Sequence, residues 1–350
     1  MRIAVFLPNW VGDAVMATPA LRALREHLPG ARIIGVLKPY VAGVLEGSPW
    51  FDEQIILDKR GPWRQRWPAA AWRLRRESVE LALLFPNTLR TALAAWLGGC
   101  RRRVGYVGHG RGWLLTDPLD PVRDAHGRST PRPIIDAYNL LVEHVGGPAP
   151  GRRMELFTMP RDEAAADEVW ETHGLGRHSE VVCLNPGAAF GSAKHWPTDY
   201  FVELARDLHD RRGSGVLVLC GPAERALAEE ITVRAARPGV HALAGRPLSL
   251  GLTKACIRRA GMLITTDSGP RHFAAAFGRP VVTLFGPTHI AWTETYYPLG
   301  VHLQKEVECG PCQRRVCPLD HRCMKLLGPA EVFASAADLL QRFSPARTSA

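Results

Sequence analysis

The feature that most constrains this chain is a rhythm. Short, almost uninterrupted apolar runs are each closed by a Gly, Pro or Asn turn and followed by a stretch of helical periodicity. Arg2–Leu7 (RIAVFL) leads through a Pro/Gly loop to Ala14–Leu28. Ile33–Leu37, Gln54–Leu57, Leu81–Phe85 and Arg103–Val107 repeat the run, with Thr88–Leu97 among the intervening helical stretches. Val181–Leu184, Val216–Leu219, Met262–Thr265 and Val281–Phe285 carry it through the second half. From about Thr198, the residues Phe201, Leu204, Ala205 and Leu208 recur at i, i+3, i+4 and i+7, which is one helix face. Strands alternating with helices argue for βαβ units and a parallel sheet, and runs apolar throughout fit strands covered on both faces. At about 150 residues per domain, 350 residues predict two domains. The segment Gly146–Pro160 (GGPAPGRRMELFTMP) is the boundary candidate. The expected architecture is α/β, with two Rossmann-like doubly wound domains facing a cleft and ligands beyond the carboxyl ends of the strands. Pro345–Ala350 reads as a frayed tail.

Charge narrows the partners and says nothing about the fold. Lys+Arg 44 against Asp+Glu 34 leaves +10, which favours anionic partners such as phosphates, nucleic acid or an acidic membrane face. No apolar run approaches the 18 or so residues of a spanning helix. The opening MRIAVFLPNWVGD lacks the succession of a signal peptide. A cytoplasmic protein is expected, able to touch a membrane from inside. One stretch concentrates the charge. Lys59, Arg60, Arg64, Arg66, Arg73, Arg75 and Arg76 are interleaved with Trp63, Trp67 and Trp72, and an amphipathic helix is expected from Pro68. Trp with Arg suits a membrane interface, and the alternative is a solvated basic helix. Arg101, Arg102 and Arg103 extend the basic patch. No nucleic-acid-binding module is recognisable, so no nucleic-acid partner is expected.

Three strand-to-helix loops carry candidate chemistry. The first, Pro8-Asn9-Trp10-Val11-Gly12-Asp13, lacks the glycines of the dinucleotide fingerprint. Asp13 opens a helix, either as its N-cap or as a general base for a substrate hydroxyl. The second runs from Asn185-Pro186-Gly187 to Lys194-His195-Trp196-Pro197. Lys194 is a compact charge suited to a phosphate, or else a solvated loop lysine. The third is Thr265-Thr266-Asp267-Ser268-Gly269-Pro270-Arg271-His272, where a helix opening offers N–H groups to an anion. Asp267 could cap or accept sugar hydroxyls there, and His272 is either a core histidine or a phosphate contact. Glu224, after Gly221-Pro222, could accept ribose hydroxyls. Of the eight cysteines, Cys183, Cys220 and Cys256 sit singly among apolar residues, and Cys100 follows Gly98-Gly99. Cys309, Cys312, Cys317 and Cys323 cluster. With His321 nearby they suggest either a structural zinc site or reduced thiols packing a loop.

Taken together, PxWxGDxxM, NPG(x)6KHWP, TTDSGxxHxAAAxGxPVVxLFGPT and CxPC(x)4C(x)5C resemble glycosyltransferase family 9 over nearly the whole chain. Within that family the resemblance is strongest to the heptosyltransferase II branch. It implies a GT-B fold, with an acceptor domain over 1–155 and a donor domain over 156–350 whose last helix could pack back on the first. It implies an inverting transfer of heptose from ADP-heptose to the inner-core heptose of lipid A–Kdo–heptose, at the cytoplasmic face of the inner membrane and with no required cofactor. Asp13 matches the family's catalytic aspartate. Lys194, Glu224, Asp267, Ser268, Gly269 and His272 match its donor site. Asn9, Trp10, Arg60 and Arg64 are the expected acceptor contacts, although Asn9 stands where several relatives have Ser. Ala188 and Ala189 replace polar residues of some relatives, which leaves backbone donor contacts there. Asp117-Pro118-Leu119-Asp120 is the nearest approach to a metal-binding DxD and is spaced wrongly for it. The alternatives are heptosyltransferase I or a later core heptosyltransferase, a nucleotide-dependent oxidoreductase or epimerase, and a non-catalytic anionic-lipid-binding protein.

Overall fold

The apolar runs become strands within about a residue of their expected limits. In a computed structural model that describes residues 1–121 and 130–343, the first half forms β1 (Arg2–Phe6), β2 (Arg32–Leu37), β3 (Glu53–Ile56), β4 (Leu81–Leu84), β5 (Arg102–Tyr106) and β6 (Asp117–Leu119). All six pair in parallel, in the order β3-β2-β1-β4-β5-β6. The second half forms β7 (Val181–Asn185), β8 (Gly215–Val218), β9 (Val240–Ala242), β10 (Met262–Thr266), β11 (Val281–Phe285) and β12 (Gly300–Gln304). These are also parallel, in the order β12-β11-β10-β7-β8-β9. Read from its other edge this is the same doubly wound order, so each sheet has one switch point, between β1 and β4 and between β7 and β10. The chain divides into two compact units. One is Met1–Phe157 with Ala291–Thr295, and the other is Thr158–Ile290 with Tyr296 onward. Pro345–Ala350 lies outside the described residues.

β6, β9 and β12 have no counterpart in the apolar pattern. All three are edge strands of three to five residues, half-buried for the most part, and β6 carries Pro118. An edge strand needs to be apolar on neither face throughout, and it tolerates Pro. The single helix expected over Ala14–Leu28 is instead two, Val11–Met16 and Thr18–His27. Pro19 lacks the N–H that would continue the first helix, but it fits the first turn of a new one.

In the first unit the helices Trp67–Arg76 and Leu89–Leu97 lie side by side on the sheet. Ala70, Leu74, Ala92 and Ala95 join Ala4, Phe6, Ile34 and Leu84 in one buried cluster. The helices approach closely because Gly98 has no side chain, and a Cβ there would stand 2.9 Å from Leu74 Cβ. In the second unit the helix Thr198–Arg212 buries Phe201, Leu204, Ala205 and Leu208. The last helix, Pro329–Phe343, packs on Thr198–Arg212 and beside β11 and β12.

Arg111 is fully buried in the first unit. Its Nε donates to Tyr106 O at 2.8 Å and its Nη1 to Pro86 O at 2.6 Å, which ties the loop after β5 to the loop after β4. Gly105 makes the room, since a Cβ there would lie 2.9 Å from Nη2. Burial pushes the guanidinium pKa down to about 10, so it stays charged at neutral pH. Arg111→Met would strand the buried Pro86 carbonyl at a cost of about 1–3 kcal/mol and free the part-buried Tyr106 carbonyl. The first unit's denaturant midpoint is expected to fall accordingly, with Arg111→Lys intermediate.

Candidate functional site

In the first unit, the loops leaving β1, β2, β3 and β4 at their carboxyl ends line a cavity of about 950 Å³. Each loop contributes polar or charged groups. Asn9 follows β1, Lys38 and Tyr40 follow β2, Lys59, Arg60 and Arg66 follow β3, and Thr88 and Arg90 follow β4. Trp63 and Trp67 form an aromatic wall, and Asp58 is the one carboxylate in the lining. Tyr40 donates its hydroxyl to Asn9 O, which joins the first two loops. Five cations against one acid around partly apolar walls suit an anionic, polyhydroxylated ligand.

Asp13 lies in the first turn of Val11–Met16, at the switch point of this sheet. The N-cap of that helix is Trp10, with no side-chain cap, so capping does not account for Asp13. Its carboxyl is half-buried. Burial first, and then the Asp13 charge, push the phenol of fully enclosed Tyr138 well above its ordinary pKa. Tyr138 in turn stacks on Phe85, with ring centroids 5.0 Å apart. The aspartate therefore sits beside a neutral, rigid aromatic pair.

In the second unit, the loops after β7, β8 and β10 converge. Thr266 Oγ1 donates to Gly187 O at 2.8 Å, and Asn185 Nδ2 donates to Thr265 Oγ1 and Ser268 Oγ, both at 3.0 Å. Glu224 leans over Gly187 so closely that a Cβ there would be 3.0 Å from Glu224 Cγ. One Glu224 oxygen accepts from Gly221 N at 3.0 Å. Gly187 is thus the one residue type that lets these two loops touch. Lys194 is buried at the end of a short turn, and its Nζ donates to Asp267 Oδ2 at 2.5 Å and to Asp267 O at 3.0 Å. Its ammonium also lies 4.8 Å from the centre of the Phe190 ring. Asp267 Oδ2 accepts from Thr288 Oγ1 at 2.7 Å, and Arg271 Nε stands 3.8 Å from Oδ1. Burial alone would raise the Asp267 pKa, but the charges of Arg271 and Lys194, with the bonds from Lys194 and Thr288, hold it below the ordinary carboxylate value.

The surroundings of Asp267, His272 and the helix opening bear on the roles expected of them. Asp267 is a buried counter-ion for Lys194 and Arg271, with its side chain already engaged, so it shapes the site through the lysine. His272 is neutral, because burial first, then the Arg271, His302 and Lys194 charges, hold its pKa well below the ordinary value. Its Nε2 accepts from Arg271 Nε at 3.1 Å, which leaves the ring proton on Nδ1. At the helix opening, the N–H groups of Arg271 and His272 already bond Ser268 O and Gly269 O. The structure brings Lys194, Glu224, Asp267, Ser268, Gly269 and His272 to one sheet edge. Of the expected acceptor contacts, Asn9 and Arg60 line the large cavity, Arg64 lines a neighbouring hollow, and Trp10 lines neither.

Lys38, Tyr40 and Arg90 escaped the sequence reading as site residues, and Asn185, Arg271 and Thr288 enter it only as parts of motifs, with no role of their own. Each lies on a strand end or a few residues beyond one, and that position is the signal that could have found them.

The cysteine loop backs the Lys194 turn. Ala193 N donates to Arg315 O at 3.0 Å, and His321 Nε2 bonds Ala193 O at 2.7 Å. Gly191 is needed there, since a Cβ would fall 2.3 Å from Arg315 O. All four clustered cysteines are free thiols; Cys309 and Cys312 are exposed, Cys317 is half-buried and Cys323 is buried. Among the described residues no three His, Cys, Asp or Glu side chains are arranged to hold a metal ion. His321 is committed to a backbone carbonyl. No described helix is long and apolar enough to cross a membrane.

Comparison with known proteins adds to this geometry. The profile of glycosyltransferase family 9 (heptosyltransferase) matches residues 67–322. The lipooligosaccharide heptosyltransferase 2 of Campylobacter jejuni is 27% identical, covering 97% of this chain and 99% of its own. The lipopolysaccharide heptosyltransferase 2 of Escherichia coli K12 is 29% identical, covering 82% and 83%. Relatives named heptosyltransferase 1 and 3 also match. Among solved structures, the E. coli ADP-heptose LPS heptosyltransferase II superposes with a TM-score of 0.77 at 24% identity, over 99% of this chain and 100% of that one.

Proposed function

The chain belongs to glycosyltransferase family 9, the heptosyltransferases, and on that premise we propose that it moves L-glycero-D-manno-heptose from ADP-heptose to the inner-core heptose of lipopolysaccharide, as a heptosyltransferase II. What carries this reading is the near full-length likeness to relatives named heptosyltransferase 2, together with polar clusters at the two switch points, where open α/β sheets bind ligands. The first unit takes the anionic acceptor in its cation-lined cavity and the second takes the nucleotide sugar.

Transfer is one displacement with inversion. The acceptor hydroxyl oxygen attacks the anomeric carbon as its proton passes to the Asp13 carboxylate. The bond from that carbon to the diphosphate oxygen breaks, and ADP departs from the opposite face. Negative charge grows on the diphosphate as it leaves, and a preorganised cation stabilises it best where water is excluded. Lys194 fills that role, held in place by Asp267. Glu224, with one oxygen engaged by Gly221 N, offers the other to ribose hydroxyls. The acceptor is a lipid, so the reaction runs at the cytoplasmic leaflet of the inner membrane.

The test is ADP release from ADP-heptose by the purified chain, with acyl-free core oligosaccharides of increasing length. Release is expected once the acceptor carries the first heptose. Release on a Kdo-only acceptor would make the chain a heptosyltransferase I, and a requirement for a longer core would make it a later enzyme. No release on any of them would refute the reading.

A further inference from the structure

We propose that the first-unit face carrying Trp72, Trp96 and Trp113 docks on an anionic lipid bilayer. This rests on the lipid-acceptor reading above and names the surface that would serve it. The helices Trp67–Arg76 and Leu89–Leu97 bury their alanines against the sheet and turn their largest apolar side chains outward. Trp72 is 58% exposed, Trp96 47% and Trp113 71%. Trp96 and Trp113 meet edge to face with centroids 6.4 Å apart, and the Arg76 guanidinium lies 4.8 Å over the Trp72 ring. Three large indoles each left about half or more in water on adjoining elements are unusual for a surface that has only water to face.

The charge around them is one-sided. Neither 59–76 nor 88–116 contains a single Asp or Glu, while Arg75, Arg76 and Arg101 stand exposed on this face. Indole rings settle at the headgroup level of a bilayer, and basic side chains near them gain from anionic lipid. A surface combining exposed indoles with these arginines is complementary to that one partner. It also adjoins the proposed acceptor site. Trp63 lines both the 950 Å³ cavity and a second hollow of about 470 Å³ that is shared with Trp72 and Arg73. An acceptor whose lipid stays in the bilayer would present its sugars beside the docked face.

The test is flotation of the full-length protein with vesicles of phosphatidylcholine alone or mixed with phosphatidylglycerol. The wild type is compared with Trp72→Ser/Trp96→Ser/Trp113→Ser and with Arg75→Glu/Arg76→Glu/Arg101→Glu. The wild type is expected to bind the mixed vesicles and hardly the neutral ones. Each variant is expected to bind at least about tenfold more weakly. Brominated lipid should quench wild-type tryptophan fluorescence and leave the tryptophan variant largely unquenched. Transfer to a soluble, acyl-free acceptor should be unchanged in both variants. Equal vesicle binding by the variants, or no binding by the wild type, overturns the proposal. So does wild-type self-association without lipid that the variants abolish, because the face would then be covered by a second copy. Vesicle binding as expected with no transfer to any acceptor would instead count against the transferase reading.

Discussion

Asp13→Asn is expected to fold as the parent does and to transfer heptose about 10²–10⁴-fold more slowly, the usual contribution of a positioned general base. The substitution keeps the side chain's size and leaves the Val11–Met16 turn intact, because the helix is not capped by this residue. What it removes is the negative charge and, with it, the basicity by which the proposed mechanism takes the acceptor proton. The loss should fall on kcat, while ADP affinity, measured by titration calorimetry, stays at the parent value because the proposed nucleotide site lies in the second unit. Retained turnover would remove Asp13 from the mechanism. Parallel loss of ADP affinity would point to a structural role instead.

The second large effect is at Lys194. Lys194→Met preserves most of the side chain's volume but leaves Asp267, only 6% exposed, without its closest cationic donor. Breaking one side of a buried pair costs about 3–5 kcal/mol. Losing an electrostatic stabiliser of the leaving group costs about 10²–10³ in turnover. The double variant Lys194→Met/Asp267→Asn should recover much of the stability and none of the activity, which separates the two roles. The pH dependence follows from Asp267, whose pKa is lowered on folding. Such a group adds stability above its unfolded pKa of about 3.9, and that stability is lost as pH falls through the folded value. The gap in urea midpoint between wild type and Lys194→Met should therefore be widest near neutral pH and narrow below about pH 4. A gap that stays constant down to pH 3 would mean that the pair is not coupled through Asp267.

How much of this was legible depended on whether burial leaves a mark on local sequence. Strands such as Leu81–Leu84 and Val281–Phe285 are buried on both faces, so they must be apolar throughout and announce themselves. Edge strands such as Gly300–Gln304 are half-buried along their length and carry no comparable mark. At the site, the motif resemblance singled out Lys194, Asp267 and His272. It could not say that the aspartate would turn inward to hold the lysine, or that burial would strip the histidine of its charge. Both outcomes depend on which atoms lie within a few ångströms, and those atoms come from distant loops: Lys194 and Asp267 are 73 residues apart along the chain.

The sequence by itself determined the parallel α/β architecture, the two halves and the family, because hydrophobic periodicity and turn residues act locally and are written in order along the chain. Only the tertiary structure decided that Lys38, Tyr40, Arg60 and Arg90 would share one cavity, and that Trp96 and Trp113 would meet beside Trp72's helix. A parallel sheet gathers the loops at one edge whatever their distance in sequence, and side chains on separate crossovers become neighbours only once the strands have paired.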